Sequence, residues 1–313
     1  MRDVRETFEV DETIVSVLDG AELAGTTSAD RQRVWAKAGG RRDRYATPEY
    51  LLPRIVRSIE PSWPAFTRQQ AGHADLAPDA LRARVKALGP WTVPLPLGHG
   101  VSTMGDTEVA RTSTDRLLFR RDLINGTVAT LLGDTLGETT VLDIGCNCGF
   151  FSFDMADRGV RHVDGIDLRP QNIDQAQFLR AHYGVREVEF AVRDADTLDA
   201  SKQWDVVLNL GVLYHMTDPF GFLRRTYELC RQFAIIDSGC HPEPIAAFFL
   251  RGEKDVNRPV EGRETIEFHP TYRGAIQTIY AAGFSEVVEI VGRAKIPHAR
   301  YATGARRCFL AIK

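Results

Sequence analysis

The chain has 313 residues, 43% hydrophobic and 26% charged, enough for one large domain with an additional region or a second domain. Its formal net charge of -3 gives no global pull on nucleic acid, and no apolar run approaches the roughly 20 residues of a membrane span. The start, Met1 to Glu6, lacks an apolar signal core, and the 5 cysteines are odd in number, so no disulfide framework and a reducing, cytoplasmic setting are expected.

Residues 1–110 are rich in Pro and Arg and show no sheet pattern. Short helices are expected at 29–38, 48–59 and 78–88, together a helical cap and substrate-binding region over a domain spanning 111–313. Within this region Arg31, Arg33, Lys37, Arg41, Arg42, Arg44, Arg54 and Arg57 are opposed only by Asp43 and Glu49. The plain reading is a solvated helical face; the sharper one is a site for an anionic substrate or RNA. Residues 91–105, punctuated by Pro94, Pro96, Gly98, Gly100 and Gly105, read as a loop.

From Asp115 the pattern becomes regular, beginning with an amphipathic helix over 115–132. Strands fit 140–144, 162–167, 187–192, 204–209 and 233–237, alternating with helices at 150–158, 171–183 and 219–230. Such alternation predicts an α/β domain: a parallel sheet with helices on both faces. The stretch 239–270 is long for a connection; Phe248, Phe249 and Leu250 give it apolar weight, and Arg251, Lys254, Arg258 and Arg263 charge. With the 91–105 loop it is expected to form a lid and an acceptor pocket. A helix at 270–282 stops at Gly283, and two β-rich runs, 286–290 and 307–312, follow without a helix between them, adding an antiparallel strand.

The most informative stretch is Val141-Leu142-Asp143-Ile144-Gly145-Cys146-Asn147-Cys148-Gly149-Phe150-Phe151. It is an apolar strand, an acid, a small-residue turn and a helix start; a second acid, Asp167, ends the next apolar run. That order is a nucleotide-binding βαβ unit, in which a tight turn admits the ligand to the backbone and a carboxylate holds ribose hydroxyls. The dinucleotide fingerprint is G-x-G-x-x-G, whereas this turn is Asp143-x-Gly145-x-Asn147-x-Gly149. Asn147 suits a left-handed position because Asn tolerates positive φ better than other residues that carry a Cβ. Cys146 and Cys148 form a Cys-x-Cys without a second pair nearby; they read as small residues in a crowded turn, and no metal is expected. Arg193-Asp194-Ala195-Asp196 and Trp204 to His215 follow at further strand ends, where an open α/β sheet binds ligands.

The acid two residues before the first glycine, with its G-x-[GN]-x-G rhythm, resembles motif I of class I S-adenosylmethionine (SAM)-dependent methyltransferases, and 204–215 resembles their motif IV. Gly211-Val212-Leu213-Tyr214-His215, followed by Asp218-Pro219, is similar to the subgroup of the tRNA wobble-uridine carboxymethyltransferase and related glycan and natural-product methyltransferases. The resemblance covers about 115–313. It implies a Rossmann-like, mostly parallel seven-stranded sheet with an antiparallel C-terminal strand, and SAM as cofactor. The cofactor site it implies comprises Asp143, Gly145, Cys146, Asn147, Gly149, Phe150, Asp167, Leu168, Asp194, Ala195, Asn209 and Leu210. In the tRNA enzyme the Tyr matching Tyr214 helps to hold an extra carboxylate on a modified SAM.

Methyl transfer from a sulfonium needs the acceptor positioned and water excluded, and needs a base only where the acceptor must lose a proton. His215, Tyr214 and His241 are the catalytic candidates; His99 and His269 are further loop histidines near the expected cleft, each more simply read as loop-bonding. The expected activity is methylation of a small-molecule or glycosylated acceptor, at a hydroxyl oxygen. The rivals are an RNA-modifying methyl- or carboxymethyltransferase, a non-enzymatic SAM-binding subunit, and an NAD-dependent oxidoreductase. Neither a nucleic-acid nor a membrane partner is expected, and a homo-oligomer is left open.

Overall fold

The structure, a computed structural model, describes residues 54–57, 76–252, 266–291 and 299–313. Its centre is an eight-stranded sheet in the order β1-β9-β10-β6-β5-β2-β3-β4. The strands are β1 (Arg54–Arg57), β2 (Thr140–Ile144), β3 (His162–Asp167), β4 (Val188–Val192), β5 (Trp204–Leu210), β6 (Cys230–Gly239), β9 (Glu286–Val291) and β10 (Arg306–Ile312). A separate antiparallel hairpin pairs β7 (Phe248–Gly252) with β8 (Ile266–Pro270). The helices are α1 (Pro78–Leu88), α2 (Glu108–Leu132), α3 (Phe150–Asp157), α4 (Pro170–Tyr183), α5 (Pro219–Leu229), α6 (Tyr272–Ala281) and the one-turn α7 (Ala299–Ala302).

Strands β2 to β6 run parallel, and β10 is antiparallel to both β6 and β9. This is the expected seven-stranded sheet, extended at one edge by β1, which pairs parallel with β9. Alternate side chains of the parallel strands reach opposite cores. Val206 and Leu208 pack with Phe153, Ile173 and Leu179 on the face of α2, α3 and α4. Val207 joins Phe222, Leu223, Ile276 and Ile279 on the face of α5 and α6. With both faces covered, the strands form near-continuous apolar runs, and Val141, Leu142, Val206, Val207 and Leu208 are fully buried.

Three expectations are corrected. Residues 54–57 were expected within a helix over 48–59 and form an edge strand; β-branched Ile55 and Val56 suit sheet pairing, which outweighs a short helical pattern. The run between β9 and β10, expected to lack a helix, contains α7. The stretch 239–270, read without regular structure, carries the β7–β8 hairpin. Helix α2 also starts earlier than expected, at Glu108, because the Thr107 side chain caps it by accepting from Ala110 N. The expected helix at 29–38 and most of the basic stretch lie outside the described residues.

The loop after α1 crosses the mouth of the sheet as a strap. Its path is fixed by side chains that reach main-chain oxygens: Gln175 Nε2 donates to Leu88 O (2.8 Å) and Pro90 O (2.9 Å), His182 Nε2 to Leu97 O (2.9 Å) and Tyr183 OH to Pro96 O (2.9 Å). Leu95 and Leu97 are fully buried beneath it. No helix among the described residues is long and apolar enough to cross a membrane.

Candidate active site

A cavity of about 1380 Å³ runs along the carboxyl ends of the parallel strands, roofed by Trp91, Thr92 and Met104 from the strap and its neighbouring loop. It begins at the ends of β3 and β4, crosses the turn after β2, and continues past the end of β5 to the β7–β8 hairpin.

The first half of the cavity is built by backbone geometry. Gly145 (φ +68°), Asn147 (φ +52°) and Gly149 (φ +89°) put three left-handed residues into one turn. A Cβ at Gly145 would stand 2.5 Å from Val212 Cγ2, so the turn after β5 lies directly on the turn after β2. Asn147 holds its left-handed shape with its own side chain: Oδ1 accepts from Cys148 N at 2.8 Å and from Thr92 Oγ1 at 3.4 Å. Asp167, nine-tenths buried, accepts from Asn147 N (3.0 Å) and Arg169 N (2.9 Å), which ties the glycine turn to the end of β3. Burial raises its pKa, and these amide hydrogen bonds offset part of the rise. Asp143 is buried beneath the turn, accepts from Ser152 Oγ at 2.6 Å, and is pushed up to about 7 chiefly by desolvation. Asp194 caps the turn Ala195–Thr197 by accepting from Asp196 N.

The second half is built by side chains from scattered elements. Tyr214 and His215 lie on the 3-10 turn Leu213–His215, anchored by fully buried Leu213. The Tyr214 ring stacks on His269 at 5.1 Å between centroids and lies 4.2 Å from the His215 ring. Glu267 of β8 stands between the two imidazoles, with Oε2 at 2.6 Å from His269 Nε2 and Oε1 at 3.6 Å from His215 Nδ1. Beside them is a cationic wall of Arg116 and Arg120 from α2, Arg300 from α7 and Arg306 from β10. Fully buried Asp237, near the end of β6, accepts from Arg120 Nη2 (2.7 Å), Arg306 Nε (2.7 Å) and Tyr301 OH. Burial works to raise the Asp237 pKa, but Arg120 and Arg306 outweigh it and hold the carboxylate below its ordinary range. Desolvation and then Arg120, Arg306 and Arg300 lower the pKa of Arg116, the sign of a concentrated positive field.

Of the residues expected at the cofactor, Asp143, Gly145, Cys146, Asn147, Phe150, Asp167, Leu168, Asp194, Ala195 and Leu210 line the cavity. Gly149 and Asn209 do not. A Cβ at Gly149 would meet the Phe190 ring, and Asn209, fully buried, turns its Nδ2 towards Thr226 Oγ1 under α5. Tyr214 and His215 line the cavity; His241 does not, because its ring stacks on Phe249 at 3.9 Å outside it. His99 is exposed at the tip of the strap, whereas His269 lines the cavity. Cys146 and Cys148 are buried free thiols, with burial pushing Cys148 up to about 12. Sequence reasoning missed Arg116, Arg120, Asp237, Glu267 and Arg306. The Asp237 position carried one signal, a lone acid near the carboxyl end of an apolar strand; the others carried none that stood out locally.

Residues 136–241 match the family described as Methyltransferase domain. The chain is 27% identical over 156 residues to the tRNA U34 carboxymethyltransferase of Wolinella succinogenes, spanning 48% of this chain and 53% of that protein. It is 37% identical over 92 residues to the Ubiquinone biosynthesis O-methyltransferase of Ruegeria pomeroyi, spanning 29% of this chain and 36% of that one. The chain thus matches about half or less of these curated relatives' length. The N-terminal domain of EvdMO1, crystallised in the presence of SAH and D-fucose, has the same fold, with a TM-score of 0.54 at 18% identity over 76% of this chain and 96% of that one. Together with the left-handed turn after β2 and the carboxylate ending β3, the family match places a methyltransferase domain at residues 136–241, of the class I kind that takes S-adenosylmethionine as its donor.

Proposed function

We propose that the protein transfers a methyl group from SAM to a hydroxyl oxygen of a small-molecule or glycosylated acceptor. The observation that carries this reading is the polarity of the cavity: backbone-fixed carboxylates at the β3 and β4 ends, and an imidazole–carboxylate group at the β5 and β8 end. In it, Asp167 receives the ribose hydroxyls, Asp194 the adenine amino group, and the turn at Gly145 the amino-acid portion of the donor. The bound donor supplies a methyl group already activated on sulfur. The protein's remaining tasks are to hold the acceptor in line, exclude water beneath the strap and accept a proton. Calorimetry with S-adenosylhomocysteine and NADH, followed by labelled-methyl transfer to a panel of hydroxyl acceptors, tests it. Binding of S-adenosylhomocysteine alone and labelling of a hydroxyl are expected; NADH binding or label only on nitrogen or carbon would overturn it.

A second reading has its own observation. Arg116 and Arg306 lie beside Tyr214, a setting that suits an anionic group on the donor or acceptor, and several curated relatives are named as tRNA U34 carboxymethyltransferases. In that reading the substrate is RNA and its binding weakens steeply with salt. Salt-sensitive tRNA binding with transfer to RNA would favour it over the first.

A further inference from the structure

We propose that His269 is the group that takes the acceptor's proton, with Glu267 as the positioning residue that orients it. This rests on the hydroxyl-methylation reading above. His215, the histidine that motif position points to, has the weaker geometry for this task.

Glu267 and His269 stand two residues apart on β8, so their side chains leave the same face of the hairpin and meet at the cavity. Both are nearly buried, with side chains 10% and 13% exposed. An ionised carboxylate only accepts hydrogen bonds, so its 2.6 Å contact fixes the proton of His269 on Nε2. Nδ1, on the other side of the ring, is left with its lone pair. Nδ1 lies beside the Gly239 position, where a Cβ would stand 3.6 Å from it and 3.5 Å from the Tyr214 ring, and His269 itself lines the cavity. Stacking against Tyr214 sets the plane of the ring. His215 Nδ1 meets the same carboxylate only at 3.6 Å, beyond hydrogen-bonding range.

The position along the cavity agrees. Val212 lies on the glycine turn and Tyr214 on His269, so three residues of one turn span the distance from the donor half to the β8 pair. In the step, the acceptor O–H proton passes to His269 Nδ1 and the oxygen's electron pair forms the new bond to the methyl carbon. The carbon–sulfur pair leaves with sulfur, giving the neutral thioether. Glu267 stabilises the imidazolium produced, without itself taking the proton.

Acceptors that differ in ionisation provide the test. Labelled-methyl transfer is measured with aliphatic methyl glycosides, which must lose a proton, and with 4-nitrophenol at a pH where it is already the phenolate. The proteins are wild type, His269→Gln, Glu267→Gln, Glu267→Asp and His215→Asn, each first titrated with S-adenosylhomocysteine to establish an intact donor site. His269→Gln should lower kcat for the glycoside about a hundredfold or more and spare the phenolate to within a few-fold. Glu267→Gln should show the same split to a smaller degree, and Glu267→Asp should recover part of it. Equal losses on both acceptors in His269→Gln, or the split appearing in His215→Asn instead, would overturn the assignment. A wild-type protein that binds S-adenosylhomocysteine yet labels only the phenolate would overturn it while sparing the donor site. Label found only on RNA would remove the hydroxyl reading itself.

Discussion

The two halves of the cavity hold their shape by different physics. Around Gly145, Asn147 and Asp167 the geometry comes from main-chain dihedrals and amide hydrogen bonds within one βαβ unit. Around Asp237, Glu267 and Arg306 it comes from charged side chains brought in from α2, β6, β8 and β10. The first half is a local solution, and sequence neighbours suffice to build it. The second exists only once the sheet has closed, because residues 120, 237 and 306 must meet.

This contrast predicts where each half breaks. The largest effect is expected at Asp237. Asp237→Asn leaves Arg120 and Arg306 buried without their counter-charge, which should cost about 3–5 kcal/mol in urea denaturation. A loss below 1 kcal/mol would mean that the cationic wall is solvated and not held by this carboxylate.

The donor half has its own electrostatic signature. Asp143 ionises near 4 in the unfolded chain and at about 7 in the folded one, so between these values the folded state binds more protons. Its contribution to stability is present at the acid end and is lost as pH rises through about 7, with a slope approaching about 1.4 kcal/mol per pH unit. Denaturation of wild type and Asp143→Asn across this window should show the slope in the first and a flatter profile in the second.

Asp167→Ala should weaken S-adenosylhomocysteine binding by about 1.5–3 kcal/mol, the scale of hydrogen bonds to a charged group, in a calorimetric titration. Unchanged affinity would mean that the ribose is held elsewhere. The smallest effect tests the link between the roof and the glycine turn. Thr92→Val removes one long hydrogen bond to Asn147, and a loss of about 0.5 kcal/mol is expected in thermal denaturation.

The same contrast explains what could be read from the sequence. The parallel strands, the helices between them, the left-handed Asn147 and the acid ending β3 all leave periodic or positional marks within a few residues. The turn carrying Tyr214 and His215 was legible for the same reason. Glu267 was not, because the hairpin that presents it lies in a stretch without a clear period, and a carboxylate is marked as a partner only by what it meets in space; His269 reads only as a loop histidine near the cleft, not as a strand residue paired with that carboxylate. His241 misled for a related reason: its position after β6 is right for the fold, but Phe249 captures the ring. Arg116 and Arg120 sit in a well-predicted helix, and nothing in the spacing distinguishes a cavity-facing arginine from a solvated one. Residues 54–57 show the limit of short-range pattern, since an edge strand is defined by its neighbour β9.

The strap has a consequence of its own. Gln175, His182 and Tyr183 grip it by carbonyl oxygens, which every amino acid presents alike. Those grips are therefore insensitive to side-chain identity, while the strap's course also depends on the Trp91 indole, the Thr103 hydroxyl, the left-handed Gly98, Gly100 and Gly105, and the leucines sunk beneath it. The chain segment roofing the cavity can exchange side chains at positions such as Thr92 and Met104 while keeping its track, much as a hypervariable loop does on a fixed framework. Substrate preference can thus drift in evolution without renegotiating the fold.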